Sequence, residues 1–157
     1  MPALRQGPNQ RGGPSARDAL SHPRDATAYA CCTLPAETQA AARARAFTRA
    51  RLAQWEMSGA VEETAGLVVS ELVTNAVRHS GSPQATLRLA RCPSHLWIEV
   101  RDTGVWRAPA DPEYDDAAEG GRGLWLVEVL AERYGVHRAP DGTCVWALIG
   151  RTSQPGL

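Results

Sequence analysis

The sequence contains no lysine; every basic residue in it is arginine. A Walker-type phosphate loop requires Gly-Lys-Ser/Thr, so that class of ATPase is excluded outright. A Schiff-base lysine and a lysine general base are excluded with it. Long hydrophobic runs are missing too. None approaches the ~20 residues of a membrane-spanning helix, and the N-terminus has arginines but no apolar signal segment. Excess charge of either sign is absent: 17 basic and 17 acidic residues give a formal net charge of zero. No global basic field therefore argues for direct nucleic-acid binding. The cysteines, Cys31, Cys32, Cys92 and Cys144, form no C-x-x-C pair. The four histidines form no H-E-x-x-H or i,i+4 pair. A disulfide framework and a structural metal centre are both disfavoured, and a reduced, cytoplasmic chain is expected.

What is present fits one domain with a good-sized core. Residues 1–27 hold Pro, Gly, Gln, Ser and Arg without apolar periodicity, and read as a disordered leader. Tyr29 to Leu34 can form an edge strand, stopped by Pro35. Glu37 to about Trp55 predicts a helix, with Ala40, Ala44, Phe47 and Ala50 at helical spacing and a mostly solvated set of arginines. Ser58-Gly59 ends it.

A second helix is predicted from Ala60 to His79. Val61, Ala65, Val68, Leu72 and Ala76 form its apolar stripe. Glu71 and Asn75 share a face beside that stripe, and Arg78 falls on the same line. A carboxylate and an amide at the rim of a core line a pocket more readily than they fill one. Gly81-Ser82-Pro83 then breaks the helix. Ala85-Leu87-Leu89 and Leu96-Ile98-Val100 alternate with polar or exposed positions and predict an antiparallel hairpin. By strand parity Asp102 points to the buried side, where a carboxylate needs a partner or a ligand. Residues 105–119 form a long loop rich in Pro and acids, the kind that is usually functional. Gly120-Gly121-Arg122-Gly123 opens a third helix carrying Leu124, Val127, Leu130 and Ala131. Tyr134–Arg138 and Thr143–Ile149 predict two final strands about a Pro140-Asp141-Gly142 turn, and residues 151–157 a tail.

These pieces make one chemistry. A buried Asp102 can accept a hydrogen bond from an exocyclic amine such as adenine N6. Gly104 allows close approach of a base to the backbone. A glycine-rich helix start offers N–H groups and a positive dipole end to phosphates, and Arg122 adds a cation. Asn75 offers a neutral oxygen to Mg²⁺, which takes its other ligands from water and phosphates. Glu71 is placed to take a proton from an attacking hydroxyl. The glycines do not form a dinucleotide fingerprint, because Leu126 stands where the third glycine would fall.

Glu71-Leu72-Val73-Thr74-Asn75-Ala76 resembles the N box of the GHKL ATPase superfamily, which includes DNA gyrase, heat-shock chaperones, histidine kinases and mismatch-repair ATPases. Asp102-x-Gly104 is similar to its adenine box, Gly121-x-Gly123 to its second glycine box, and Gly142-Thr143 to its final box. The resemblance runs from about Leu34 to Ile149 and is strongest to the anti-sigma-factor serine kinase branch. It implies a two-layer α/β sandwich with helices on one face of a mixed, mostly antiparallel sheet. It further implies ATP and Mg²⁺ as cofactors, Glu71 as general base, Asn75 as Mg²⁺ ligand, and Asp102 and Thr143 at the adenine. Residues 105–119 become an ATP lid, and Arg78, Gly104, Gly121, Arg122 and Gly123 complete the nucleotide site. The implied activity is phosphorylation of a serine on a small antagonist protein, with a sigma factor as second partner. A homodimer is compatible with this; a membrane or nucleic-acid partner is not expected. The alternative is a catalytically silent, nucleotide-gated module that sequesters a sigma factor or other regulator.

Overall fold

A computed structural model describes residues 23–57, 59–104 and 120–151. Five strands and three helices follow one another as β1 (Ala28–Pro35), α1 (Ala40–Gln54), α2 (Ala60–His79), β2 (Gln84–Arg91), β3 (His95–Asp102), α3 (Gly120–Leu130), β4 (Arg133–Ala139) and β5 (Gly142–Gly150). The sheet order is β1-β2-β3-β5-β4, so β1 is an edge strand as its sequence predicts. The helices layer onto one face, giving the expected two-layer α/β sandwich. Every pairing among the described strands is antiparallel, so the expected mixed sheet has no parallel member there. Of the expected leader, residues 1–22 lie outside the described residues. Residues 23–27 already touch the sheet: the Thr27 N–H donates to the Arg91 carbonyl at 2.7 Å.

Helix α2 is the central support of the helical layer. Its predicted stripe of Val61, Ala65, Val68, Leu72 and Ala76 is buried, joined by Val69 and Val73. Glu62 and Glu63 lie in its first turn and Arg78 and His79 in its last, complementing the helix dipole. Gly81, at φ +66, ends it in the left-handed conformation that glycine adopts without strain. Under α2 lie Leu87 and Leu89 of β2, Leu96, Ile98 and Val100 of β3, and Val145, Ala147 and Ile149 of β5.

The buried line of α1 differs from the predicted one. It runs through Ala40, Ala44, Thr48 and Leu52, with Ala50 exposed and Phe47 at the margin. Thr48 can be buried because its hydroxyl donates to the Ala44 carbonyl at 2.8 Å, leaving no unmet polar group. The helix also begins at Ala40 rather than Glu37, after a turn in which the Ala40 N–H reaches the Glu37 carbonyl.

The sheet's other face departs from the simple alternation expected of β3. Trp97 and Glu99 occupy its outward positions yet are buried. The sheet covers itself there: the rings of Trp97 and Trp146 stack with centroids 5.0 Å apart and planes 7° from parallel. Glu99 is clasped by Arg88 at 3.4 Å and by Arg101. Burial works against the charge of Arg101, but the neighbouring Glu99 outweighs it and raises the Arg101 pKa. Gly135 is needed beneath this layer, since a Cβ there would come within 2.7 Å of the Trp146 indole.

Candidate nucleotide site

The register of the sheet brings two of the predicted residues side by side. Asp102, the last residue of β3, is the cross-strand partner of Thr143 near the start of β5. Both face the helical layer, and both are buried, at 7% and 3% exposure. Adjacent buried polar side chains at the end of an otherwise aliphatic face form a polar floor rather than core. Asp102 Oδ1 accepts a hydrogen bond from the Gly104 N–H at 3.0 Å, which turns the chain sharply after the strand. Gly142 fits beside it because a Cβ would run into the Asp102 carbonyl oxygen.

Asn75 projects from α2 into the interface with the sheet and is 4% exposed. Its Nδ2 has no hydrogen-bond partner. Leaving a buried amide donor unmet costs about 1–3 kcal/mol, a feature that marks a side chain built to meet something else. The amide terminus can be flipped to exchange N and O, so the same position can present an acceptor. Glu71 lies one turn earlier on the same line, half-buried, and Arg78 one turn later, exposed. A group of three or more His, Cys, Asp or Glu able to enclose a metal is absent among the described residues.

Gly121, Arg122 and Gly123 fall in the first turn of α3. The helix packs against α2 and buries Val127 in the common core. The predicted lid, residues 105–119, lies outside the described residues.

Gly104 has a role beyond the expected one. A Cβ on it would collide with the Ser80 carbonyl oxygen, so its small size lets the turn after β3 nest against the end of α2. Sequence reasoning passed over the residues that make this junction. Ser82 Oγ donates to the Gln84 carbonyl at 2.6 Å and meets Thr103 Oγ1 at 3.0 Å. In the sequence Ser82 reads only as part of the Gly81-Ser82-Pro83 helix stop and Ser80 is not singled out, because no local signal points to Thr103. An open groove of about 550 Å³ lies on the opposite face of the sheet, lined by Tyr29, Ala30, Cys31, Thr86, Arg88 and Arg101. It contains none of the predicted residues. Two of its lining residues, Arg88 and Arg101, are already paired with Glu99.

No curated protein matches the chain significantly in sequence. Among solved structures, the RsbU and RsbW domains of Rv1364c from Mycobacterium tuberculosis superpose with a TM-score of 0.62 at 23% identity, covering 78% of this chain and 32% of that one. The chain thus spans about a third of that protein's length. The SiaB–SiaC complex from Pseudomonas aeruginosa gives a TM-score of 0.59 at 15% identity, covering 76% of this chain and 88% of that one. At these identities the likeness is one of fold. No helix among the described residues is long and apolar enough to cross a membrane. The histidine kinase-like ATPase domain matches residues 34–149, from the end of β1 through β5 and across every site residue described above; the chain belongs to that family.

Proposed function

We propose that the protein is an ATP-dependent serine/threonine protein kinase of the anti-sigma-factor type, acting on a serine of a small antagonist protein. The single observation that supports this best is the pairing of the polar floor, Asp102 and Thr143, with a buried amide at Asn75 whose hydrogen bonding is incomplete. Asp102 accepts from the adenine amine and Thr143 supports it from the next strand. Asn75 holds Mg²⁺ through its amide oxygen, and Arg78 borders the same line of α2. The first-turn N–H groups of Gly121, Arg122 and Gly123 take the phosphates. When bound at Asn75, Mg²⁺ would supply positive charge to the phosphate groups during transfer. Glu71 accepts the proton of the incoming serine hydroxyl. Its half-buried position, one turn from Asn75, puts it beside the nucleotide without making it part of the binding floor.

The protein partners of this reading are the antagonist and a sigma factor. A structural neighbour solved as a two-protein complex, and another that contains an RsbW domain, support a role in partner switching. The test is direct. The chain is incubated with labelled ATP, Mg²⁺ and each candidate antagonist from its own cell, and phosphoserine is sought by mass spectrometry. Transfer to one antagonist is the expected result. ATP binding without transfer to any of them would replace the kinase with a nucleotide-gated binding module.

A further inference from the structure

We infer that Ser82 is a positioning residue for adenine recognition, acting through the turn that holds Asp102. This rests on the nucleotide reading above and names a residue which that reading does not use. Ser82 is 7% exposed and lies in the link between α2 and β2, outside every predicted box. Its side chain meets two elements that are far apart in sequence. The hydroxyl donates its only proton to the Gln84 carbonyl, 2.6 Å away. Its oxygen is therefore an acceptor in the 3.0 Å contact with Thr103 Oγ1, and the Thr103 hydroxyl is the donor. The Thr103 backbone N–H also points to Ser82 Oγ, at 3.3 Å. Ser82 is itself fixed, because its N–H donates to Ser80 Oγ at 3.0 Å.

The consequence passes along two residues. Thr103 is the middle of the Asp102-Thr103-Gly104 turn, and the Gly104 N–H holds Asp102 Oδ1 at 3.0 Å. On its other side Gly104 sits against the Ser80 carbonyl, too close for any Cβ. The turn is thus gripped by both serines, and the direction of the Asp102 carboxylate follows from the turn. A carboxylate that reads one exocyclic amine needs a fixed direction, since hydrogen bonds weaken steeply off-axis. Selectivity for adenine over guanine therefore depends on Ser82, although Ser82 need not touch the base.

ATP and GTP affinities with Mg²⁺, measured by titration calorimetry, provide the test. A merely structural residue would weaken both nucleotides alike; a positioning residue changes their ratio. Ser82→Ala should lower the ATP:GTP affinity ratio by about tenfold, the low end for an impaired hydrogen bond to a charged group. Ser82→Thr, which keeps the hydroxyl, should recover most of that loss. Thr103→Val removes only the 3.0 Å contact at an exposed residue, and should lower the ratio by roughly two- to threefold. If Ser82→Ala does not fold, Thr103→Val still decides, because an unchanged ratio there overturns the inference. A wild-type preference for ATP that survives Ser82→Ala refutes the role of Ser82 alone. Equal wild-type affinities for ATP and GTP would refute the adenine reading itself, and Ser82's role with it.

Discussion

Replacing Asn75 with alanine should make the protein more stable without nucleotide and less stable with it. The amide Nδ2 is buried in α2 with no partner, which costs the empty protein about 1–3 kcal/mol. Alanine also suits a helix interior better than asparagine, by up to ~0.7 kcal/mol. Against this stands the packing lost with the amide atoms, roughly 1–2 kcal/mol for a small truncation that leaves a partial cavity. The balance is a gain of about 1 kcal/mol, read as a rise in melting temperature of roughly 3–4 °C in a chain of this size. Nucleotide reverses the order. At ADP concentrations near 100 times Kd, with Mg²⁺, the wild type gains about 2.7 kcal/mol from binding. The variant, lacking the oxygen proposed for the metal, gains little. Thermal melts of both proteins with and without Mg²⁺ and ADP give four temperatures whose ranking should cross. A variant less stable than wild type in the empty state would show that the amide is not orphaned. An equal nucleotide shift in both proteins would remove Asn75 from the site.

Glu71→Gln should keep ATP affinity within about twofold while phosphoryl transfer falls by roughly 10²–10⁴-fold, the usual weight of a general base; transfer at the wild-type rate would remove Glu71 from that role. Trp146→Ala should cost about 3 kcal/mol in urea unfolding and leave ATP affinity unchanged, because the Trp97–Trp146 stack lies on the face away from Asp102 and Thr143. The thiols predict an alkaline limit. Burial, reinforced by Glu99, pushes Cys144 up to about 12 from 9.0. Burial first, then the adjacent Cys31 for Cys32 and Asp25 for Cys92, pushes each of these thiols up to about 11. The folded state keeps these protons after the unfolded chain has released them, so stability is full below pH 9 and declines as pH rises towards the folded values. Melting temperature should fall across that window, and Cys144→Ala should flatten the decline; the same slope in both proteins would refute the assignment.

The parts of the molecule that the sequence disclosed are those where a local rule is either strongly repeated or openly broken. Helix α2 was legible because its stripe recurs over the whole of Ala60–His79 and each turn confirms the last. Asp102 was legible because a carboxylate on the inward parity of a strand contradicts its surroundings, and such contradictions gather at functional sites. The misread positions obey local rules while non-local neighbours set their environment. Trp97 and Glu99 alternate properly with Leu96 and Ile98; Trp146 on β5, Arg88 on β2 and Arg101 two residues along β3 bury them. Thr48 is buried through a hydrogen bond one helical turn back, which apolar spacing cannot register.

Ser82 is the extreme case. A serine between glycine and proline after a helix is what a turn calls for, so nothing about it is anomalous in one dimension. Only the fold brings it to Thr103. Groups that would touch a ligand break local rules and can be found from the sequence. Groups that aim them satisfy those rules, and their role becomes visible when the chain is closed. A shortened list of box residues would thus transfer the contacts of this site to another scaffold without the orientation of Asp102. Grafting Asp102, Gly104 and Thr143 alone should then yield nucleotide binding with little preference for adenine, and adding the Ser80–Ser82 link should restore that preference.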